Sequence, residues 1–307
     1  MIDLPAGHTA RPLADDDIDD VVSLVRTCEV HDSAAAAYER ADLVADLALA
    51  DRLRDTVIVS DPRGVLAAWG LILRRRTRWA DVHPDHRGRG LGRALVDWSV
   101  ARAGELGADR IGQTVEDTRV DAVALFLGSG ALPVRTAWIL RRDHEPALPP
   151  PPPDGVPGIV LRGSTPKDEV EALEMLELAF SEWPDRQPST LATWKALVTR
   201  REGFTPDQLH LAVATDGRIV GAAFLIDDGE EVWVDKLGTH PEFRGRGIGR
   251  ALLRQSFVLA HARGRRATLL STDSNTGALP FYEQLGMRVT RSFTHWAIPL
   301  DGAGRAS

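Results

Sequence analysis

One stretch of thirteen residues occurs twice in this chain. His83-Pro-Asp-His-Arg-Gly-Arg-Gly-Leu-Gly-Arg-Ala-Leu95 returns as His240-Pro-Glu-Phe-Arg-Gly-Arg-Gly-Ile-Gly-Arg-Ala-Leu252, identical at ten of the thirteen positions. The copies lie 157 residues apart (240 minus 83) in a chain of 307. A period of that size is a whole domain rather than a solenoid turn, so the chain reads as one domain duplicated. Between the copies runs Pro149 to Pro153. Fixed φ and missing donors keep such a run out of a helix or central strand. As polyproline II at ~3.1 Å per residue it makes a stiff spacer of about 15 Å. The expected division is residues 1–147, a Pro-rich linker at 148–158, and residues 159–307.

The second copy shows the clearer local pattern. A short strand at Ile159 to Arg162 leads to Thr165, which can cap a helix with Pro166 at its first position and Asp168 and Glu169 in its first turn. That helix is expected to reach Phe180, with another over Thr190 to Arg200. Asp216-Gly217 separates two apolar runs and suits a hairpin turn. A third strand over Glu230 to Gly238 precedes the repeated motif, and apolar spacing predicts a helix from Gly247 to Ala262. A strand at Ala267 to Ser271, a helix at Gly277 to Leu285 and terminal strand segments complete the domain. The class is α/β: two tandem domains, each with a mixed, mostly antiparallel sheet flanked by helices.

Composition narrows the function. With 43% hydrophobic and 26% charged residues the chain is an ordinary globular protein. Its 44 acidic against 37 basic residues, a net charge of −7, tell against nucleic acid as partner and suit a cationic small substrate such as an amine. The single cysteine, Cys28, excludes an internal disulfide or a Cys-based zinc cluster, and no metal is expected. Met1 to Arg11 lacks the pattern of a signal peptide, and the longest apolar run, Gly64 to Leu73, is too short to span a bilayer. The expectation is a cytoplasmic protein with no membrane partner.

The repeated motif joins a strand to a helix. Glycines there let the backbone approach a bulky anion, and the helix N-terminus presents unpaired N–H groups to it. The spacing Gly-x-Gly-x-Gly is neither the dinucleotide fingerprint nor a P-loop. Arg244-x-x-Gly247-x-Gly249 and Arg87-x-x-Gly90-x-Gly92 resemble the Arg/Gln-x-x-Gly-x-Gly/Ala motif of the GNAT superfamily of acyl-CoA N-acyltransferases. The duplicated layout is similar to that of two-domain, mycothiol-synthase-like members. The resemblance implies acetyl-CoA as co-substrate, its pyrophosphate held by Arg244, Gly245, Arg246, Gly247, Ile248, Gly249 and Arg250. It implies that backbone groups of Leu237, Gly238 and Thr239 meet the pantetheine and the thioester carbonyl. A second coenzyme A site would use Val82, Arg87, Gly88, Arg89, Gly90, Leu91, Gly92 and Arg93.

Amide formation from a thioester needs a proton acceptor for the amine, donors for the carbonyl oxygen and a proton for the leaving sulfur. Asn275 to Gly286 resembles the family's Asn-(x)6-Tyr element, which implies that Tyr282 protonates the sulfur and Asn275 contacts the pantetheine. Glu231, Trp233 and Asp235 alternate before the loop, as residues on one face of a strand do. Asp235 is the preferred base and Glu231 the other candidate. The competing reading of Asp235 is an acid ion-paired with the adjacent Lys236. No cysteine lies in this half, which favours direct attack in a ternary complex over a thiol relay. In the first copy Phe126 stands in the Tyr282 place and Arg76 and Arg78 in those of Trp233 and Asp235, so that copy is expected to be non-catalytic. Trp183, Asp185 and Trp194, with Glu182 nearby and Trp233 on the strand, are the candidates for an aromatic, acidic acceptor pocket. The function expected is acetyl transfer to a small-molecule primary amine. The alternatives are a non-catalytic acetyl-CoA sensor or scaffold, and acetylation of protein lysines or N-termini.

Overall fold

The computed structural model describes residues 2–33, 38–73, 77–182 and 188–300, apart from the side chains of Thr77 and Arg78. In chain order the first repeat forms β1 (Thr9–Arg11), α1 (Ile18–Ser33), α2 (Arg40–Leu47), α3 (Arg52–Asp55), β2 (Thr56–Ser60), β3 (Leu66–Leu73), β4 (Thr77–Val82), α4 (Leu91–Glu105), β5 (Arg110–Glu116), α5 (Val120–Gly128) and β6 (Leu132–Asp143). The second forms β7 (Ile159–Gly163), α6 (Glu169–Ala179), α7 (Leu191–Trp194), β8 (Leu209–Ala214), β9 (Ile219–Asp227), β10 (Glu231–Thr239), α8 (Ile248–Ala262), β11 (Ala267–Asp273), α9 (Leu279–Glu283) and β12 (Arg288–Pro299).

The chain folds into two compact units, one holding residues up to Ala137 together with those from Ser292 on, the other Trp138–Arg291. In the first unit the strand order is β1-β2-β3-β4-β5, followed by the end of β12, which runs antiparallel to β5 from Phe293↔Glu116 to Pro299↔Arg110. In the second it is β6-β11-β10-β9-β8-β7. Each sheet is mostly antiparallel, with one parallel pair, β4–β5 in the first unit and β10–β11 in the second. This spatial division departs from the linear one. Residues 138–147 go with the second unit, and residues from 292 with the first. The last strand of each repeat covers the open edge of the other repeat's sheet, where unpaired N–H and C=O groups need a partner. Any long strand of suitable alternation meets that need, and no local pattern records which one does.

Local chemistry sets the elements up. Arg162 grips Asp168 with two bonds of 2.7 and 2.8 Å, and the same carboxylate accepts the Thr165 N–H at 2.7 Å, fixing the entry to α6. Arg11, Asp17 and Ala14 repeat this staple before α1. The expected hairpin turn is present, with Gly217 at φ +90° and its N–H on Ala214 O. In the second unit α6 packs on one sheet face through Leu176, Leu209, Leu211 and Phe224. On the other, Leu253 and Phe257 of α8 meet Leu225, Val232 and Leu270. Among the described residues no helix is long and apolar enough to cross a membrane.

Candidate active site

β10 and β11 pair in parallel only from Glu231↔Ala267 to Trp233↔Leu269. Beyond that point β10 keeps its pairing with β9, but the register shifts between Val234 and Lys236. Asp235 is the extra residue of this bulge, a device that bends a strand and re-aims a side chain. The parting strands open a cavity of ≈ 210 Å³. Val234, Leu237, Gly238 and Thr239 line it from β10, and Leu270, Ser271 and Thr272 from β11. Ala179 and Phe180 close it at the end of α6, while Asp235, Arg244, Thr276, Ala278 and Tyr282 complete the wall.

Gly238 is glycine because α6 crosses there. A Cβ at that position would lie 2.8 Å from Leu176 Cδ2 and 3.1 Å from Ala179 Cβ. The following loop turns through Gly245 (φ +74°) and Gly247 (φ +86°), with Gly247 as the N-cap of α8. The amides of the first helical turn, Ile248, Gly249 and Arg250, have no intrahelical acceptor, and the helix dipole adds positive potential at the same place. Ile248 is buried and packs inward, so it contributes its backbone. A Cβ on Gly249 would meet only ordinary contacts, Thr239 Oγ1 at 3.6 Å and Phe281 at 3.8 Å. The Arg244 side chain turns back to α6, donating to Glu182 Oε2 at 2.9 Å and to Ala179 O at 3.0 Å. Arg246 stacks over Phe243 at 4.7 Å. Arg250 is half-buried.

Tyr282 reaches the cavity from α9, its ring 5.1 Å from that of Phe281. Burial pushes its phenol up to about 12, so it keeps its proton across the working pH range. Asp235 also lines the cavity, and its Oδ2 accepts from Lys236 Nζ at 2.7 Å. The carboxylate is thus ion-paired with Lys236 and lines the cavity.

Other candidates sit elsewhere. Glu231 accepts from Arg141 and Arg266, each at 2.7 Å, at the start of β10 and away from the cavity wall. The alternation that grouped it with Asp235 stops at the bulge. Trp233 pairs with Ile226 and Leu269 inside the sheet. Trp194 is 2% exposed and packs in the core beneath α6, because the α7 face that carries it turns inward. Asn275 is exposed, its N–H on Asp273 Oδ1 at 3.0 Å, and its neighbour Thr276 lines the cavity instead. Thr276 Oγ1 is fixed by Thr272 Oγ1 at 2.8 Å and by Asp273 O at 2.7 Å. Trp183 and Asp185 lie outside the described residues. Sequence reasoning missed Phe180, Leu270, Thr272 and Thr276, which no local pattern marked.

In the first unit Gly88 (φ +71°) and Gly90 (φ +91°) repeat the loop geometry, with Gly90 as N-cap of α4. Leu91 is buried, Arg89 is exposed, and Arg93 Nε donates to Asp97 at 3.0 Å. Phe126 is 3% exposed in a packed core. Arg76 and the Arg78 side chain lie outside the described residues.

Residues 27–130 and 170–287 match the Acetyltransferase (GNAT) family. A mycothiol acetyltransferase of Thermomonospora curvata is 31% identical over 297 residues, which cover 93% of this chain and 93% of that protein. One of Thermobispora bispora is 32% identical over 226 residues, 71% of this chain and 72% of that protein. The crystal structure of a GCN5-related N-acetyltransferase from Sphaerobacter thermophilus superposes with a TM-score of 0.73 at 30% identity, over 97% of both chains. A tandem GNAT protein from the clavulanic acid biosynthesis pathway shares the fold, with a TM-score of 0.64 at 20% identity over 97% of this chain and 100% of that one. With both repeats matched and the strand opening, glycine loop and cavity in place, the chain belongs to the acetyltransferase (GNAT) family, as a tandem acetyl-CoA-dependent N-acetyltransferase.

Proposed function

We propose that the second unit acetylates the primary amine of a small molecule by direct attack in a ternary complex. The observation that carries this reading is the single cavity into which Tyr282, Asp235 and the Leu237–Thr239 backbone all open. The residues fit a coenzyme A thioester. Glycines at positive φ expose the amides of Ile248, Gly249 and Arg250 to a diphosphate, and the parted strands offer backbone groups to an extended amide-bearing arm. The thioester supplies an activated acyl carbon and a thiolate leaving group.

Asp235 takes a proton from the acceptor ammonium, directly or through one water, so that the free amine can attack. The Leu237 and Thr239 amides, which alternate away from β9, donate to the thioester oxygen as negative charge gathers there. Tyr282 donates a hydrogen bond to the sulfur as the carbon–sulfur bond breaks and the carbon–nitrogen bond forms. The first proton passes from Asp235 to solvent, and the second, lost by nitrogen as the amide forms, ends on the sulfur as thiol, so protons and charge balance over the cycle. No cysteine lies in this half to hold an acyl group, in keeping with a direct transfer.

Relatives named mycothiol acetyltransferase make a mycothiol precursor amine the first acceptor to test. The experiment is a thiol-release screen of small amines with acetyl-CoA, run with a protein-lysine substrate in parallel. The expected result is amine-dependent release that saturates in both substrates, with intersecting initial-rate lines. Parallel lines would overturn direct attack, and release with the protein substrate alone would overturn the small-molecule acceptor.

A further inference from the structure

The first unit has the same loop and its own strand opening, but its residues close on themselves. By the repeat offset of 157, Arg87 stands where Arg244 does and Asp81 where Gly238 does; by the offset of 156 that matches Phe126 to Tyr282, Arg119 stands where Asn275 does. In the second unit the loop arm, Arg244, and the helix arm, Thr276 with Tyr282, both line an open cavity. In the first, one carboxylate ties the corresponding arms together. Asp32 accepts from Arg87 Nη1 at 2.7 Å and Nη2 at 2.9 Å, and also from Arg119 Nη1. His31 Nδ1 lies 2.9 Å from the same carboxylate, whose side chain is 11% exposed. Burial opposes the charge of Asp32, yet the bonds from Arg87 and His31 and the charge of Arg119 hold its carboxyl below the ordinary range.

Helix length puts Asp32 there. Aligned on their Arg–Asp staples, α6 ends at Ala179, where α1 has Cys28 and continues to Ser33. Those five further residues carry Asp32 to the opening. β4 fills the place from below, since Asp81 occupies the Gly238 position and accepts from Trp69 Nε1 at 3.0 Å. Val82 O, at the place of Thr239, is taken by Arg87 Nε at 3.1 Å and by Cys28 Sγ at 3.4 Å. Leu125 also crowds the helix start, lying 3.0 Å from the position a Cβ of Gly92 would take.

We propose that the first unit is a self-liganded copy, in which Asp32 clamps Arg87 to Arg119 across the strand opening so that no coenzyme A is taken up there. Isothermal titration of the full-length protein with coenzyme A is expected to give one site per chain, in the second unit. Two sites would overturn the clamp. Zero would overturn the second-unit reading while agreeing with a closed first unit, so the two failures are distinguishable. Gly249→Asp, which sets a carboxylate at the proposed diphosphate site where a Cβ is tolerated, should abolish the binding heat. Heat that persists in that variant would belong to the first unit and overturn the proposal. Asp32→Ala leaves two arginines without their shared partner and should lower Tm by about 2–8 °C. An unchanged Tm would show that Asp32 clamps nothing.

Discussion

The sharpest test of the mechanism is Tyr282→Phe, because the structure bounds its effect from both sides. The ring contacts with Phe281 survive the change, and no described side chain engages the phenol. The first unit already holds a buried phenylalanine, Phe126, at the matching place. Stability should therefore shift by no more than about 0.5 kcal/mol. The rate is another matter. With burial raising the phenol to about 12 and a free thiol at ~8.5, complete proton transfer to a fully departed thiolate is uphill by several powers of ten. In the proposed mechanism Tyr282 acts instead as a hydrogen-bond donor that holds its proton and stabilises charge gathering on sulfur. A hydrogen bond to a charged group is worth about 1.5–3 kcal/mol. Its loss should lower kcat by about 10- to 150-fold. The assay is thiol release at saturating acetyl-CoA and amine, with KM for acetyl-CoA followed in parallel and expected to hold. Because a group titrating near 12 stays protonated at every practical pH, no fall in kcat between pH 8 and 10 should depend on Tyr282. A kcat within twofold of the unaltered protein would refute the role, as would an alkaline limb in that window that vanishes in the variant.

Asp235→Asn should lower kcat by on the order of 10²-fold or more with the acetyl-CoA KM unchanged, and an unaltered rate would pass the base role to another group. Glu231→Gln should leave acetyl transfer intact but cost about 1–2 kcal/mol in chemical denaturation, because Arg141 and Arg266 lose a charged acceptor. Gly238→Ala should destabilise by about 1–3 kcal/mol, since its Cβ would press within 2.8 Å of Leu176. Asp168→Asn should cost about 1–3 kcal/mol near pH 7, where Arg162 and Thr165 hold the Asp168 carboxyl far below its ordinary value. A depressed folded pKa stabilises above the unfolded value, so the gap between the two proteins should narrow as pH falls below about 4.

What could be read from the sequence, and what could not, follows from the range of the forces involved. Gly217, Gly245 and Gly247 all have positive φ, a local steric demand that glycine meets and that a sequence advertises. The same holds for the apolar spacing of α8 and for the order of strands in the second repeat. The bulge at Asp235 is a matter of register between β10 and β9, settled by pairing across the sheet. Strict alternation therefore placed Glu231 with Asp235 when the structure separates them. Trp194 is a question of which helical face turns inward, and α7 passes straight into a π-helical turn at Lys195–Thr199, so no single period decides it. The exchange of β6 and β12 depends on which long strand meets which open edge, the least local choice in the chain.

On the proposed reading, the two repeats keep the same glycine loop and differ in what they bind. Both make the same strand-to-helix corner, with left-handed N-caps at Gly90 and Gly247, and both enter their first helix through the same Arg–Asp staple. These features hold a backbone shape, and the shape needs its glycines whether or not an anion ever sits on the loop. The differences gather at the strand opening: Tyr282 against Phe126, Gly238 against Asp81, Asn275 against Arg119. In the proposed mechanism, proton chemistry and the space for a thioester depend on these positions and not on the corner. The motif that reveals the duplication is therefore the part that cannot tell a working copy from a closed one. Side chains facing the parted strands make that distinction, because only there does a substituted group exclude a ligand or remove a proton donor.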